Sequence, residues 1–246
     1  MKKNETFYGN KLILLLIFGA ILSAASCVDP IPEPPVLDDI TVGAYILNNG
    51  NYTDNDSNIS YLDFSSDAVT EDIFTIMNHK NLGNLGQDMM IFGDKMYITV
   101  DGSGVVFVTD IYGNIIKEIV HKENGETLSP RYLTSYGDAI FVSYYQGYIG
   151  KIDTVDFNLQ IAPCGPNPDQ IAVSKGKLYV ATSGGLSYPD YCSTIDVFDA
   201  KDLSGRKTID VVINPQFLEV NSAGEVFLIS TGNYADIPQR SKKLTL

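Results

Sequence analysis

The side chains that could do chemistry are few and scattered. "DNDSN", Asp54 to Asn58, sets carboxylates at alternate positions, as calcium loops do. An EF-type loop would put its glycine at Ile59 and its closing glutamate at Ser65, so that site is not expected. A looser calcium loop stays open as an alternative. His79 and His121 lie outside any Cys/His cluster, and no zinc spacing is present. No nucleophile elbow, P-loop or dinucleotide fingerprint occurs. Catalysis would have to rest on acidic residues alone, such as the carboxylate pair of a lyase or glycosidase, and such a pair is recognised only by its geometry. The chain is therefore read as a non-enzyme with no catalytic residue, no metal site and no cofactor. Arg131 is the sharpest single candidate, because an isolated cation in a chain of net charge −13 needs a carboxylate or a ligand as partner. A structural salt bridge is the competing reading.

What must position these residues is a repeat. "MMIFGDKMYITV" (Met89–Val100), "YLTSYGDAIFVSY" (Tyr132–Tyr144), "IAVSKGKLYVAT" (Ile171–Thr182) and "FLEVNSAGEVFLIS" (Phe217–Ser230) share one pattern. Each has an apolar strand, a turn at Gly93, Gly137, Gly176 or Gly224, and a second strand with an aromatic at Tyr97, Phe141, Tyr179 or Phe227. Glycine supplies the positive φ of a tight hairpin, and alternation marks half-buried strands. A third strand closes on aspartate at Asp110, Asp153 and Asp199, and "IIKEIV" and "KTIDVVI" supply fourth strands. The aromatics recur at roughly 40 to 50 residues, the range of propeller blades. Four antiparallel strands per unit, with no helical periodicity in the mature chain, predict an all-β fold, a β-propeller of four-stranded antiparallel blades. A two-sheet sandwich is the alternative, and its strands do not usually recur as one motif.

That topology sorts the loops. The segment after each second strand and the link into each first strand share one face, opposite the tight glycine turns. Loops Asn48–Asn58, Asp101–Gly104, Tyr145–Gly147 and Ser183–Ser193 then form a binding face with links Asn84–Gln87, Ser129–Tyr132, Gly165–Gln170 and Asn214–Phe217. They carry Tyr52, Tyr145, Tyr148, Tyr188 and Tyr191, with Gln87, Arg131, Asp169, Gln170 and Gln216 near the channel mouth. Tyrosine offers flat area with a polar tip, suited to an amphipathic ligand or a protein partner; packing between blades is the alternative use. Cys164 and Cys192 fall on one face of one unit, which makes them candidates for a disulfide in an exported chain.

Net charge argues against nucleic acid or an anionic membrane surface as partner. The first 26 residues read as an export signal: Lys2, Lys3 and Lys11 precede "LILLLIFGAILSAA", too short for a membrane span. "AASC" resembles the lipobox of bacterial lipoproteins, with lipid on Cys27, although Ala24 stands where leucine is usual. An ordinary cleaved signal is the alternative. Residues 27–40 follow as a Pro-rich acidic tether, extended and semi-rigid, and residues 41–246 form the propeller. Val42–Asp63 matches the second and third strands of a blade without the first, and the far end stops after two strands, with "SKKLTL" able to begin a third. The expectation is an incomplete propeller of four to five blades, C-terminally truncated from a ring of about seven.

"YILNNGNYTDNDSNISYLD" (Tyr45–Asp63), "SPRYL" (Ser129–Leu133), "GPNPDQIAV" (Gly165–Val173) and "STGNYAD" (Ser230–Asp236) resemble the YncE-type propellers of Bacteroidetes surface lipoproteins, which include the BtuG-like proteins. The resemblance spans about residues 41–236. It implies a seven-bladed propeller, lipid-anchored on the outer membrane and exposed at the cell surface, that captures cobalamin and caps a TonB-dependent transporter. No cobalamin contact is transferred residue by residue. A propeller enzyme acting on glycans or lactones, and a structural protein binding other proteins, are the alternatives.

Lipidation is directly testable. Metabolic labelling with a palmitate analogue should mark the protein, and Cys27→Ala should abolish the label; a labelled Cys27→Ala protein would remove the anchor.

Overall fold

The structure, a computed structural model, describes residues 42–233 and the backbone of 241–244. The expected export signal (residues 1–26), the expected lipid site at Cys27 and the expected tether (residues 27–40) lie outside the described residues. Gly43–Asn48 (β1), Asn58–Asp63 (β2) and Ala68–Thr70 (β3) form a first three-stranded sheet, followed by a short helix α1 (Ile73–Asn78). Gly86–Phe92 (β4), Lys95–Val100 (β5), Val105–Asp110 (β6) and Ile115–Ile119 (β7) make the second sheet. A two-stranded ribbon, Lys122–Glu123 (β8) and Glu126–Thr127 (β9), leads to the third sheet. This consists of Pro130–Tyr136 (β10), Ala139–Tyr144 (β11), Tyr148–Asp153 (β12) and Leu159–Pro163 (β13). The fourth sheet has Pro168–Ser174 (β14), Lys177–Thr182 (β15), Thr194–Asp199 (β16) and Lys207–Asp210 (β17). Pro215–Val220 (β18), Val226–Ser230 (β19) and Ser241–Leu244 (β20) form the fifth. All pairings are antiparallel between sequence neighbours, so the predicted blades are present, and no strand pairing among the described residues joins the fifth sheet to the first.

Each blade is buried through its second strand. Along β5, Met96, Ile98 and Val100 pack toward the first blade while Tyr97 packs toward the third. In β11, Ile140, Val142 and Tyr144 face the second blade, and Ala139 and Phe141 face the fourth. Leu178 and Val180 of β15 turn back to the third blade, whereas Tyr179 and Ala181 meet Leu218, Val226 and Leu228 of the fifth. The alternation therefore serves two neighbours at once, and the core lies between blades. The repeated aromatic always points onward. In β19 the alternation yields one covered face and one open face: Ile229 is 52% exposed, against 0% for Ile140.

Recurring polar details fix the turns. Gly93, Gly137, Gly176 and Gly224 adopt φ of 62°, 58°, 74° and 74°, as the hairpins require. The aspartates that close the third strands cap the turns that follow. Asp153 Oδ1 accepts the Val155 N–H at 2.8 Å, Asp110 Oδ1 accepts those of Tyr112 and Asn114, and Asp199 Oδ1 accepts that of Lys201. Asp63 does the same with Ser65 in the first blade. The hydrogen bonds hold Asp153, Asp63 and Asp199 below the usual carboxylate range.

Helix α1 is a small addition to the expected all-β fold. It spans six residues, too few for a periodic pattern to register, and it exists because Phe74 plugs the first inter-blade core against the Phe107 ring at 4.9 Å. The β8–β9 ribbon turns on Asn124 and Gly125, both at positive φ, a pair that favours such turns.

Inter-blade burial predicts unequal costs for one substitution. Ile140→Ala should lower stability by about 2–5 kcal/mol, and Ile229→Ala by less than about 0.5 kcal/mol, in chemical denaturation. Equal losses would mean that the fifth blade's outer face is packed as well.

Candidate functional site

The inner strands align rung by rung, as "GQDM", "PRYL", "PDQI" and "PQFL". The first rung is Gly86, Pro130, Pro168 and Pro215, and every inner strand breaks register just after it. The second rung is Gln87, Arg131, Asp169 and Gln216. The third alternates polar and aromatic: Asp88, Tyr132, Gln170, Phe217. The polar members latch blades together. Asp88 Oδ2 accepts the Leu133 N–H of the next blade at 2.8 Å, and Gln170 Oε1 accepts the Leu218 N–H at 2.9 Å. Burial raises the Asp88 carboxyl above its usual range, and its two accepted N–H bonds only partly offset that.

The upper loops are fastened to these strands by one repeated bond. Asp101, Tyr145, Ser183 and Thr231 donate their N–H groups to the carbonyls of Leu85, Ser129, Asn167 and Asn214. Each residue that follows a second strand is thereby set beside its blade's inner strand.

Arg131 occupies the centre. Its Nη1 donates to Asp101 Oδ2 at 2.9 Å and its Nη2 to Asp169 Oδ1 at 3.1 Å, so one guanidinium bridges the second, third and fourth blades. The side chains are 22%, 12% and 10% exposed. The guanidinium also lies over the Tyr145 ring at 4.8 Å and the Tyr132 ring at 5.7 Å. Burial acts against its charge, but the two carboxylates prevail and keep it protonated. Burial raises Asp169, with Arg131 and Ser183 pulling the other way. Burial and the nearby Asp169 also raise Tyr145, so its hydroxyl stays a donor. A buried, doubly paired arginine is the salt-bridge outcome of the two readings of Arg131. Its Nε is buried with no hydrogen-bond partner among the described residues.

A cavity of about 220 Å³ opens over this bridge, lined by Arg131, Tyr145, Asp169, Tyr191, Gln216 and Phe217 among others. Five of the sequence-selected residues thus converge: Arg131, Tyr145, Asp169, Tyr191 and Gln216. Gly185 makes room for Tyr145, since a Cβ there would lie 2.4 Å from the hydroxyl. Tyr188 stands outside the cavity, 69% exposed, with its ring edge-on to Tyr191 at 5.9 Å. Tyr52 projects from the first blade's loop, 68% exposed, and Gln87 holds the equivalent rung on β4 without lining the cavity. Tyr148 and Gln170 do structural work instead. Tyr148 packs on the core between the second and third blades, and Gln170 is the latch to Leu218.

Asp101, Tyr132 and Phe217 were not selected from the sequence. The rung alignment could have found Tyr132 and Phe217. Asp101 follows a second strand and meets Arg131 only because two blades stand side by side. In "DNDSN", Asp54 and Asp56 accept hydrogen bonds from Asn51, which ties their carboxylates to the loop. No group of three or more potential metal ligands occurs among the described residues.

Cys164 and Cys192 are free thiols, so the expected disulfide is not made. Cys164 turns into the core between the third and fourth blades, and burial pushes its thiol far up. Cys192 belongs to the loop that pairs with Ser183 and Asn214, its sulfur beside Gly184.

Comparison with known proteins places this geometry. The family described as Domain of unknown function (DUF5074) matches residues 42–237. No curated protein matches the chain. Among solved structures it is similar to the WD40 beta propeller domain of Doa1, at 13% identity and TM-score 0.50, covering 60% of this chain and 48% of that one. A streptogramin B lyase aligns at 16% identity and TM-score 0.54, covering 81% and 64%. Hydrazine synthase of Kuenenia stuttgartiensis aligns at 15% and 0.54, covering 76% and 60%. The chain spans less than two thirds of each of these structures. At such identities the likeness shows the propeller fold alone.

The bridge predicts a pH-dependent mutant. Arg131→Met should cost about 3–5 kcal/mol at pH 7, because it strands two buried carboxylates. Without the guanidinium, Asp169 titrates higher still above its ordinary 3.8. As pH falls through that window the folded state takes up its proton before the unfolded state does, and the variant regains stability relative to the parent. The turn aspartates, whose lowered values cost stability in acid, are common to both proteins and cancel. Urea denaturation at pH 7 and near pH 4.5 should show the gap narrowing; a constant gap would refute the coupling.

Proposed function

The chain belongs to the DUF5074 family, and on that premise we propose that its propeller binds a ligand at the Arg131 mouth and does not transform it. The observation that carries this reading is the Asp101–Arg131–Asp169 bridge, which holds the upper segments of three blades in one arrangement. Polar groups already fixed in place lose little freedom when a ligand arrives. Tyr145 and Tyr191 add flat surfaces with polar tips, and Gln216 adds an amide. Asp169, the carboxylate at the mouth that burial raises, is engaged by Arg131 and Ser183, which argues against a free general acid.

Cobalamin is the leading ligand. The resemblance to YncE-type lipoproteins suggests it, and its rim of carboxamides suits amide, phenol and guanidinium partners. The cavity, about 220 Å³, admits a side group of such a molecule, with the remainder resting on the exposed tyrosines. In this reading lipid on Cys27 holds the propeller at the outer-membrane surface beside a TonB-dependent transporter.

Titration calorimetry with cyanocobalamin tests the proposal on the full chain. Saturable binding is expected, weakened about tenfold or more by Tyr145→Ala and by Gln216→Ala. Tyr112→Ala, on the opposite face, should leave it unchanged. Unaltered affinity in both mouth variants would move the ligand elsewhere. Glycan or lactone turnover that Asp169→Asn abolishes would make the protein an enzyme.

A further inference from the structure

The turn face carries a larger concavity than the mouth, and nothing in the reading above uses it. It lies between the third and fourth blades, holds about 620 Å³, and is framed by the hairpins at Gly137 and Gly176. Four lysines line it, Lys151, Lys175, Lys177 and Lys201, together with Asp138, Asp153 and Asp199. In a chain of net charge −13, a hollow whose lining is net positive runs against the background.

The aspartates are largely committed. Asp153 Oδ1 accepts the N–H groups of Val155 and Asp156, and Asp199 Oδ1 accepts that of Lys201. The lysines divide into two that are engaged and two that are not. Lys151 donates to the Lys201 carbonyl, and Gln160 Nε2 donates to the Asp202 carbonyl at 2.7 Å, so the fourth blade's turn is pinned to the third blade. Lys177 reaches Asp199 at 3.1 Å, in a pair about half exposed and therefore weakly held. The ammonium groups of Lys175 and Lys201 donate no hydrogen bond among the described residues, and each brings three donors; the Lys175 stem runs beside Gly224 of the fifth blade, so its ammonium sits at the rim of the hollow. Tyr136, 49% exposed, lines the same hollow with a ring.

We propose that this hollow is a second binding site, for a small molecule bearing at least two phosphate or sulfate groups. Point-like ammonium donors on separate strands and turns suit spread oxyanions, and short hairpins fix their spacing. Lys177 exchanges its exposed partner for the ligand, and the Tyr136 ring offers a platform for a sugar or other ring that carries the anions.

Sodium pyrophosphate is the probe, in calorimetry on the full chain at low ionic strength. Saturable binding of one equivalent is expected, falling steeply with added salt. The double variant Lys175→Gln, Lys201→Gln should weaken it about tenfold or more while melting like the parent, since both ammoniums are exposed and unbonded. Tyr145→Ala, at the mouth, should leave pyrophosphate binding intact and so separates the two sites. Absence of saturable binding, or unchanged affinity in the double variant, would overturn the proposal. Binding to phosphatidylglycerol vesicles without binding to free pyrophosphate would overturn it too, making the lysines a membrane-facing surface.

Discussion

A single blade of this chain has no core; its second strand is buried because two other blades cover it. Fully burying one aliphatic or aromatic side chain contributes about 1.5–3 kcal/mol, and β5, β11 and β15 each divide theirs between two neighbours. Everything else follows from this shared burial. It sets the blades face to face, brings the inner strands of consecutive blades together, and separates a face of tight turns from a face of longer loops. Stability then resides in interfaces between consecutive units, as in other repeat proteins.

The two faces are finished by different chemistry. On the turn face, aspartate side chains cap the bends and glycines supply left-handed backbone, so chain is spent economically and hairpins are short. On the loop face, one repeated backbone bond in each of the second to fifth blades, such as Tyr145 to Ser129, fastens the upper segment to its own inner strand. Beyond that bond the loops differ in length and residue type. The mouth varies among blades while its scaffold does not, which is the division of labour expected of a binding face.

Charge placement sharpens the contrast. Arg131 is consumed by two buried carboxylates, so it organises the mouth and has little free charge to offer a ligand. Recognition there must rest on hydrogen bonds and aromatic area. Four lysines gather instead around the hollow of the turn face, where their partners are exposed or absent among the described residues. The mouth thus holds a buried, paired cation, while the turn-face hollow gathers exposed ones.

Blade pattern, strand order and turn positions were legible in the sequence, because alternation, glycine turns and closing aspartates act over a few residues and repeat. The mouth was legible as a region: Arg131, Tyr145, Asp169, Tyr191 and Gln216 fall on segments that any propeller brings to one end. Which side chains meet was not. Asp101 lies 30 residues from Arg131 and reaches it only across a blade interface. Tyr148 and Gln170 share the face with the mouth residues, yet core packing claims the first and the Leu218 N–H the second. Cys164 and Cys192 share a face in sequence and remain free, since one turns into the core and the other stays in its loop. Helix α1 escaped notice because its cause, Phe74 filling the gap beside Phe107, is a contact between distant segments. Local periodicity dictates which elements form and in what order. Pairings across blades are decided by side-chain direction and by which buried polar group lacks a partner, and those appear only once the blades have packed.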